Sequence, residues 1–253
     1  MVRTRVIPCL LLKGRGLVKT VKFDNPRYVG DPINAVRIFN EKEVDELMFL
    51  DIEATADDRE PHYDIISQLA SECFMPLSYG GGLRNIDQIK KILRLGVEKV
   101  VLNSSAVSTP EFIRDASNVV GNQSVVVSID FKRNLMGRYV MYTHGGRKKV
   151  HLDPLSHAMT MEKMGAGELL LNSIDRDGTM RGYDIGFIKK ISDKVDIPVI
   201  ACGGAGSLFH LSEAVNGGGA SAVSAGSMFV FHGKHRAVLI NFPTQEELRI
   251  HLP

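Results

Sequence analysis

Two parts of the chain, about 120 residues apart, carry the same order of residues that could do chemistry. The first half contains FLDIEAT (49–55), LSYGGGLRN (77–85) and VVLNSSA (100–106). The second half contains LLNSIDRDGT (170–179), VIACGGAGS (199–207) and VSAGSMF (223–229). In both halves, apolar runs lead into aspartate, a glycine cluster and small polar residues. This period far exceeds that of solenoid repeats, so we interpret each copy as half of one domain.

The glycine clusters point to anion binding. Glycine lets the backbone approach a phosphate closely, and the N–H groups at the start of a following helix can bind it. The same glycines could instead form tight turns between strands and helices. Two clusters in equivalent positions favour a ligand with a phosphate at each end. The predicted phosphate- or substrate-binding residues are Lys19, Gly81, Gly82, Asn103, Ser104, Asp177, Gly178, Gly203, Gly204, Gly226 and Ser227.

Asp130 is the candidate acid or base. It ends the apolar run VVVSID (125–130), where its surroundings could tune its pKa for proton transfer. It could equally cap the following loop or pair with Lys132. Lys19 follows a glycine-bearing segment and could contact an anionic substrate, although a solvated loop lysine is the ordinary interpretation.

Other reactive residue types lack the patterns that chemistry would need. None of the eight histidines, including His144 and His232, has an HExxH-type partner, so they are interpreted as ordinary surface or core residues. Ser78, Ser104 and Ser173 lack a nucleophile-elbow context, which argues against serine-hydrolase chemistry. The sequence therefore predicts neither a metal nor a cofactor.

Composition indicates an ordinary globular protein. The chain has 253 residues, of which 44% are apolar and 24% charged, and its net charge of +2 suggests neither nucleic acid nor an anionic membrane as partner. The first apolar run contains Pro8 and is too short for a secretory signal. Cys9, Cys73 and Cys202 lie far apart without CxxC spacing, which suits a reducing compartment. We predict a cytoplasmic protein without membrane spans.

The element pattern predicts a single α/β domain, a (β/α)8 TIM barrel over residues 1–253 with half-barrels of about 1–122 and 123–253. Predicted strands cover 5–12, 46–52, 76–80, 99–103, 124–130, 168–173, 198–202 and 222–225. Predicted helices cover 33–43, 61–73, 86–95, 109–119, 154–165, 184–194, 208–217 and 244–251. Residues 133–149 are predicted to form a hairpin after the fifth strand. An open doubly wound sheet is the alternative, but KGRGLVK (13–19) lacks the third glycine of its fingerprint.

An ordered set of motifs along the whole chain resembles one known family. These motifs are RVIPCL (5–10) with Lys13 and Lys19, GDP (30–32), DELMFLDI (45–52), GGGLR (80–84), VVVSIDFKR (125–133), YTHGGR (142–147), GAGELLLNSIDRDGT (165–179), GYD (182–184) and GGAG (203–206). They resemble HisF, the cyclase subunit of imidazole glycerol phosphate synthase. The resemblance implies that ammonia from a partner glutaminase, HisH, enters the bottom of the barrel. It then reaches a bisphosphorylated ribonucleotide at the top.

The chain departs from this family at one catalytic position. The resemblance implies two aspartates as the acid/base pair, at the ends of strands one and five. Asp130 matches the second, but Leu11 occupies the position of the first. Leucine cannot transfer a proton, and losing one member of such a pair costs on the order of 10²–10⁴ in rate. Asn172, Cys202 and Gly226 also replace the family's usual threonine, serine and alanine, which indicates a changed substrate pocket.

The opposite end of the predicted barrel keeps the family pattern. The resemblance places Arg5, Glu46, Lys99 and Glu168 around the ammonia entrance and Glu98 at the glutaminase interface. Charges at the bottom of a barrel often serve stability alone. However, four charges of alternating sign at a narrow mouth are costly to keep as filler.

Three hypotheses follow from the resemblance. The first is a HisF-like subunit that takes ammonia from a HisH-like glutaminase for amidino-sugar synthesis in lipopolysaccharide O-antigen pathways, with help from a third amidotransferase. The second is an active histidine-pathway cyclase, in which water or Asp130 alone moves the protons. The third is a scaffold that binds the glutaminase without passing ammonia.

Overall fold

Regular elements alternate along residues 4–252, which are the residues described by the computed structural model. The strands are β1 (Arg5–Lys13), β2 (Gly16–Val21), β3 (Asp24–Gly30), β4 (Leu47–Asp51), β5 (Leu77–Gly80), β6 (Lys99–Leu102), β7 (Val125–Arg133), β8 (Tyr139–Thr143), β9 (Lys148–Val150), β10 (Glu168–Ser173), β11 (Val199–Cys202), β12 (Ala222–Ala225), β13 (Phe231–His232) and β14 (Ala237–Val238). The helices are α1 (Pro32–Glu41), α2 (Tyr63–Glu72), α3 (Ile86–Arg94), α4 (Ser104–Ser108), α5 (Glu111–Val120), α6 (Pro154–Lys163), α7 (Ile185–Ser192), α8 (Leu208–Asn216), α9 (Ser227–Val230) and α10 (Gln245–His251).

Eight of these strands form a closed parallel barrel. The order around it is β1, β4, β5, β6, β7, β10, β11 and β12. The circle closes because β12 also pairs in parallel with β1, with Arg5 opposite Ala222. The predicted (β/α)8 barrel is therefore confirmed, and an open doubly wound sheet is excluded.

Local sequence signals set where the helices begin. Asp31, Asn85 and Ser207 each accept a hydrogen bond from a backbone N–H in the first turn of the helix that follows. Thr244 and Glu247 form a reciprocal capping box at the start of α10. Such caps satisfy N–H groups that have no partner within the helix. Because they follow the strands closely, they fix where each loop at the top of the barrel ends.

The hydrophobic core has two layers. The larger layer fills the space between the strands and the surrounding helices. The smaller one fills the inside of the barrel and contains Ile7, Cys9, Met48, Val101, Val126, Leu170, Ile200, Cys202 and Ala222. Leu11 and Leu50 pack on its upper side. The interior is thus packed with side chains, as is usual for this fold.

The main difference from the sequence prediction lies between β1 and α1. Residues 13–19 were predicted as a loop, but β2 and β3 form an antiparallel hairpin that continues β1, with Leu11 opposite Val18. Gly, Asp and Pro interrupt this segment, so it lacks a clear strand pattern. The predicted hairpin over 133–149 is confirmed as β7–β8 and extended by β9. The helices α4 and α9, of five and four residues, were not predicted because they are too short for a 3.6-residue period.

Candidate functional site

A cavity of about 1000 Å³ opens at the C-terminal ends of the barrel strands. Loops at this end of a (β/α)8 barrel hold the active site in essentially all characterised enzymes of this fold. Of the predicted site residues, Leu11, Lys19, Gly81, Asn103, Ser104, Asp130, Asp177, Gly178, Gly203, Gly204, Gly226 and Ser227 line the cavity. Gly82 instead packs against the loop after β4, where its N–H donates to the Thr55 hydroxyl over 3.2 Å. The topology therefore brings nearly the whole predicted set together.

Asp130 lies on β7 inside the top of the barrel and is 8% exposed. Its Oδ1 accepts a hydrogen bond from the Ser128 hydroxyl over 3.0 Å. Burial raises the pKa of Asp130 to about 7, although hydrogen bonds from Ser128 and Asn172 oppose that shift. A carboxyl with a pKa near neutrality can both give and take protons at physiological pH. The alternative pairing of Asp130 with Lys132 does not occur, because the Lys132 ammonium lies over the ring of Tyr142.

Leu11 lies half-buried at the end of β1 and lines the same cavity as Asp130. Two carboxylates that line this cavity with Leu11 are engaged elsewhere. Asp51 on the neighbouring β4 forms a two-point ion pair with Arg59, over 2.7 and 2.8 Å. Asp177 accepts hydrogen bonds from the hydroxyl of Thr20 and from the backbone of the β2–β3 turn. A second acid therefore does not stand beside Asp130 at the position of Leu11.

The β2–β3 hairpin is held over the barrel by Asp177. The carboxylate accepts the Thr20 hydroxyl over 2.7 Å and the Phe23 N–H over 3.3 Å. The Lys22 N–H also donates to the Asp177 carbonyl, over 2.9 Å. Asp177 was predicted as a phosphate- or substrate-binding residue, and the structure places its carboxylate in contact with the protein's own hairpin.

The ordinary interpretation of Lys19 as a solvated loop residue is wrong. Lys19 lies in β2 and is 5% exposed. Its ammonium group lies so close to Gly226 that a Cβ at this glycine would come within 2.1 Å of Nζ. The hairpin therefore delivers a buried cation to the end of β12. Glycine at position 226, where the resembling family has alanine, makes room for it.

Gly203, Gly204, Gly226 and Ser227, which we call the second loop cluster, surround this ammonium-lined part of the cavity. Gly203 and Gly204 have φ of +86° and +116°, which favours glycine. The Ser227 hydroxyl is buried and has no hydrogen-bond partner among the described residues. A buried hydroxyl without a partner is costly unless water or a ligand satisfies it.

Gly81, Asn103 and Ser104, which we call the first loop cluster, occupy the equivalent place in the other half of the barrel. Here the polar side chains already have partners. The Asn103 amide donates to the Ser128 carbonyl over 3.0 Å, and the Ser104 hydroxyl accepts the His144 N–H over 3.1 Å. His144, predicted as an ordinary surface or core residue, also lines the cavity. The sequence repeat therefore holds two environments that differ in their free hydrogen-bonding groups.

At the opposite end of the barrel, Arg5, Glu46, Lys99 and Glu168 form a closed ring of ion pairs, which we call the basal ring. Arg5 bonds Glu46 over 2.5 Å and Glu168 over 2.6 Å. Lys99 bonds the same two carboxylates, over 2.9 and 3.3 Å. Ser78 adds a hydrogen bond of 2.7 Å to the other oxygen of Glu46. All four predicted entrance residues thus meet, while Glu98 is exposed beside them.

Two cysteines that are distant in sequence meet below the cavity. The thiols of Cys9 and Cys202 are buried and lie close enough to shift each other's pKa. This contact, together with burial, raises the pKa of the Cys202 thiol. One strand, β12, separates their strands in the barrel, so the sequence spacing gave no sign of the pair.

Within residues 4–252, no three His, Cys, Asp or Glu side chains come together as a possible metal site. Over the same residues, no helix has both the length and the apolar character needed to cross a membrane.

The fold and site define a (β/α)8 barrel with a ligand cavity at the top, two glycine-rich loop clusters and an ion-paired base. The sequence profile of the family described as "Histidine biosynthesis protein" matches residues 5–236. The chain belongs to this family and is HisF-like.

Three relatives span essentially the whole chain. A Pseudomonas aeruginosa protein named "Putative imidazole glycerol phosphate synthase subunit hisF2" is 52% identical over 99% of this chain and 100% of its own length. A Leptospira interrogans protein named "Putative imidazole glycerol phosphate synthase subunit HisF" is 51% identical over 98% of each chain. A Vibrio vulnificus protein named "Putative imidazole glycerol phosphate synthase subunit hisF3" is 47% identical over 98% of this chain and 95% of its own length.

Proposed function

We propose that this chain is the synthase subunit of a glutamine amidotransferase complex. It receives ammonia from a HisH-like glutaminase at the basal ring and passes it through the barrel to the top cavity. The ammonia then serves an acceptor other than the histidine-pathway ribonucleotide. The acceptor that fits the resemblance is an acetamido sugar, converted to an acetamidino sugar in lipopolysaccharide O-antigen synthesis.

The observation that carries this proposal is Leu11 on the cavity wall. Family cyclisation needs an acid/base pair, and this chain supplies only Asp130 at the two expected positions. Asp51 and Asp177, which could have replaced the missing acid, are bound to Arg59 and to the β2–β3 hairpin. One carboxyl with a pKa of about 7 can move one proton, but cannot act as acid and base at two positions together.

The basal ring and the barrel interior support the passage of ammonia. The ring lies at the N-terminal ends of β1, β6 and β10, directly below the inner core layer. The buried hydroxyls of Ser78, Ser128 and Ser224 lie on the strands between the ring and the cavity. A small neutral molecule could exchange hydrogen bonds with such hydroxyls, whereas ions would lose their hydration.

The chemistry of amidination also explains why a third amidotransferase is needed. Converting an acetamido group to an acetamidino group replaces the amide oxygen by the nitrogen of ammonia, so the oxygen must first accept a phosphoryl or nucleotidyl group from a nucleoside triphosphate and then leaves with that group. We assign that activation to a third amidotransferase that receives ammonia from the top cavity. The top of this barrel then serves as the exit of a conduit, with Asp130 retained beside it.

The deciding experiment supplies the bisphosphorylated ribonucleotide with an ammonium salt and follows product formation. We expect turnover at least 10²-fold below that of an active family cyclase. Leu11→Asp should raise it, whereas Leu11→Asn, which has the same size without the ionisable group, should not. Turnover near family rates in the unaltered chain would instead establish a histidine-pathway cyclase.

The cyclase is the second candidate function, because the relatives carry synthase names and Asp130 has a pKa suited to proton transfer. A glutaminase-binding scaffold is the third. Replacing Lys99 by Met in the complex distinguishes a conduit from a scaffold. A conduit should show altered transfer of glutamine-derived ammonia to the acceptor, whereas a scaffold should keep the same transfer efficiency and respond only to interface variants such as Glu98→Ala.

A further inference from the structure

Asn172 occupies the position between the candidate acid and the second loop cluster. It lies on β10, where its cross-strand neighbours are Asp130 on β7 and Cys202 on β11. The residue is 7% exposed and lines the cavity. Its amide therefore has one side towards a titratable carboxyl and the other towards the glycine-rich loop that follows β11.

The two ends of this amide are unequally satisfied. Asn172 lies opposite Asp130 in the register of β10 and β7, and its amide lowers the pKa of the Asp130 carboxyl. Its Oδ1 is buried without any partner among the described residues. That oxygen lies only 3.0 Å from where a Cβ on Gly203 would stand, at the edge of the second loop cluster. A buried acceptor without a partner is destabilising, so a ligand or a rearrangement that satisfies it is favoured.

The side-chain amide of asparagine can occupy the same space in two orientations. A turn of 180° exchanges the oxygen and the NH₂ group with almost no change in shape. When Asp130 is ionised, it accepts from Nδ2, and Oδ1 faces the second loop cluster. When Asp130 is protonated, its hydroxyl can donate to Oδ1, and Nδ2 then faces the loop cluster as a donor.

These two arrangements have opposite consequences for an anion. Oδ1 carries partial negative charge and repels an oxyanion held by the second loop cluster. Nδ2 would instead donate a hydrogen bond to that oxyanion, alongside the Ser227 hydroxyl and the Lys19 ammonium. We propose that Asn172 couples protonation of Asp130 to oxyanion binding in the second loop cluster, so that binding one anion takes up one proton.

The other groups around Asp130 do not replace this link. Tyr142 faces it from β8, and the Lys132 ammonium is held over the Tyr142 ring. Asp177 adds negative charge that raises the pKa of Asp130 further. Lys19 acts electrostatically on Cys9 and Cys202 and lies beside Gly226. The Asn172 amide both acts on the Asp130 carboxyl and borders the second loop cluster at Gly203.

The test measures sulfate binding calorimetrically between pH 6 and pH 8. Sulfate is used because, unlike phosphate, it does not itself titrate in this range. If binding requires protonated Asp130, sulfate should bind about tenfold more weakly at pH 8 than at pH 6. Titrations in two buffers of different ionisation enthalpy at pH 7 should show uptake of a fraction of a proton. Ser227→Ala should weaken binding and Ser104→Ala should not, which places the anion in the second loop cluster.

The variants separate the amide from the carboxyl. Asp130→Asn should bind sulfate with the same affinity at both pH values. Asn172→Thr, or Asn172→Ala if the threonine variant does not fold, should lose most of the pH dependence although Asp130 remains. The exposed Asn216→Thr is the matched control and should behave as the unaltered chain.

Two results would overturn the coupling. One is a full tenfold pH dependence in the Asn172 variants, since Asp130 would then act on the anion through its charge alone. The other is the absence of sulfate binding to the unaltered chain at pH 6. Neither result bears on the cyclase assay, because ammonia, glutaminase and acceptor take no part in these titrations.

Discussion

The basal ring and two polar groups of the top cavity differ in how their buried hydrogen-bonding atoms are satisfied. At the bottom, Glu46 is almost fully buried, and both of its oxygens are bound, one by Ser78 and the other by Arg5 and Lys99. At the top, the Ser227 hydroxyl and Asn172 Oδ1 are equally buried and have no protein partner among the described residues. The basal ring satisfies its polar groups internally, whereas Ser227 and Asn172 keep hydrogen-bonding capacity for something that is not part of the chain.

This difference indicates where ligand chemistry can occur. An internally satisfied ion-pair ring resists change in its geometry. Unsatisfied groups lower stability, and folds keep them mainly at sites that water or a ligand completes. The two loop clusters differ in the same property, because the side chains of Asn103 and Ser104 have hydrogen-bond partners and the Ser227 hydroxyl has none among the described residues.

The largest expected effect is the loss of the basal ring. Glu46→Ala leaves Arg5 and Lys99 with one carboxylate between them and leaves Ser78 without its acceptor. Breaking a buried ion pair by removing one partner costs about 3–5 kcal/mol, so the free energy of unfolding in urea should fall by roughly that amount. The exposed Glu98→Ala at the same end is the control and should change it by less than about 0.5 kcal/mol. Equal losses in both variants would show that the ring contributes little.

The next effect concerns Asp130 and depends on pH. Its pKa of about 7 lies above the ordinary value of 3.8, so the folded chain holds this proton more tightly than the unfolded chain does. The resulting stability is fully present below about pH 4 and is lost as the pH rises through 7. Asparagine does not titrate, so Asp130→Asn should not lose this stability as the pH rises. The unfolding free energy of the variant, relative to that of the unaltered chain, should therefore be about 2–3 kcal/mol higher at pH 8 than at pH 5. The exposed Asp115→Asn should show no such trend, and a gain independent of pH would contradict the assigned pKa.

The smallest expected effects come from replacing one serine by alanine at each end of the barrel. Ser78→Ala removes a hydrogen bond to the carboxylate of Glu46 and should lower the unfolding free energy by about 1.5–3 kcal/mol. Ser227→Ala removes a buried hydroxyl that has no partner among the described residues, so it should raise the unfolding free energy by about 1–3 kcal/mol. Urea unfolding of both variants measures this directly. A similar loss in both would mean that the Ser227 hydroxyl is satisfied in solution by tightly bound water.

The strands and long helices could be predicted because their signals are local. Each predicted barrel strand ends within three residues of the observed one, since apolar runs bounded by glycine or aspartate mark buried parallel strands. Asp130 and the glycines could be placed at the top for the same reason, because parallel strands bring their carboxyl ends together. The ring of Arg5, Glu46, Lys99 and Glu168 required the family resemblance, since nothing local marks those charges as mutual partners.

The features that could not be predicted from the sequence depend on contacts between distant segments. Lys19 becomes buried only because Asp177, 157 residues away from Thr20, holds the hairpin over the barrel. Asn172 Oδ1 lacks a partner because of the side chains that β7 and β11 bring beside β10, and these strands are distant in sequence. His157 is a further case, since burial against the barrel lowers its pKa to about 4, yet its sequence context is an ordinary amphipathic helix.

The positions of the three cysteines give the protein its own chemical reporter. Cys9 and Cys202 line the floor of the top cavity, and the interaction between them lowers the pKa of the Cys9 thiol, so Cys9 is the thiol that a small alkylating reagent would modify through the space that a bound molecule would fill. Cys73 lies outside this cavity, at the end of α2, and burial raises the pKa of its thiol to about 11, which keeps it protonated and slow to react at neutral pH. Mass spectrometry after brief alkylation therefore distinguishes a filled cavity from an open one in the unmodified chain, for any compound in a screening collection.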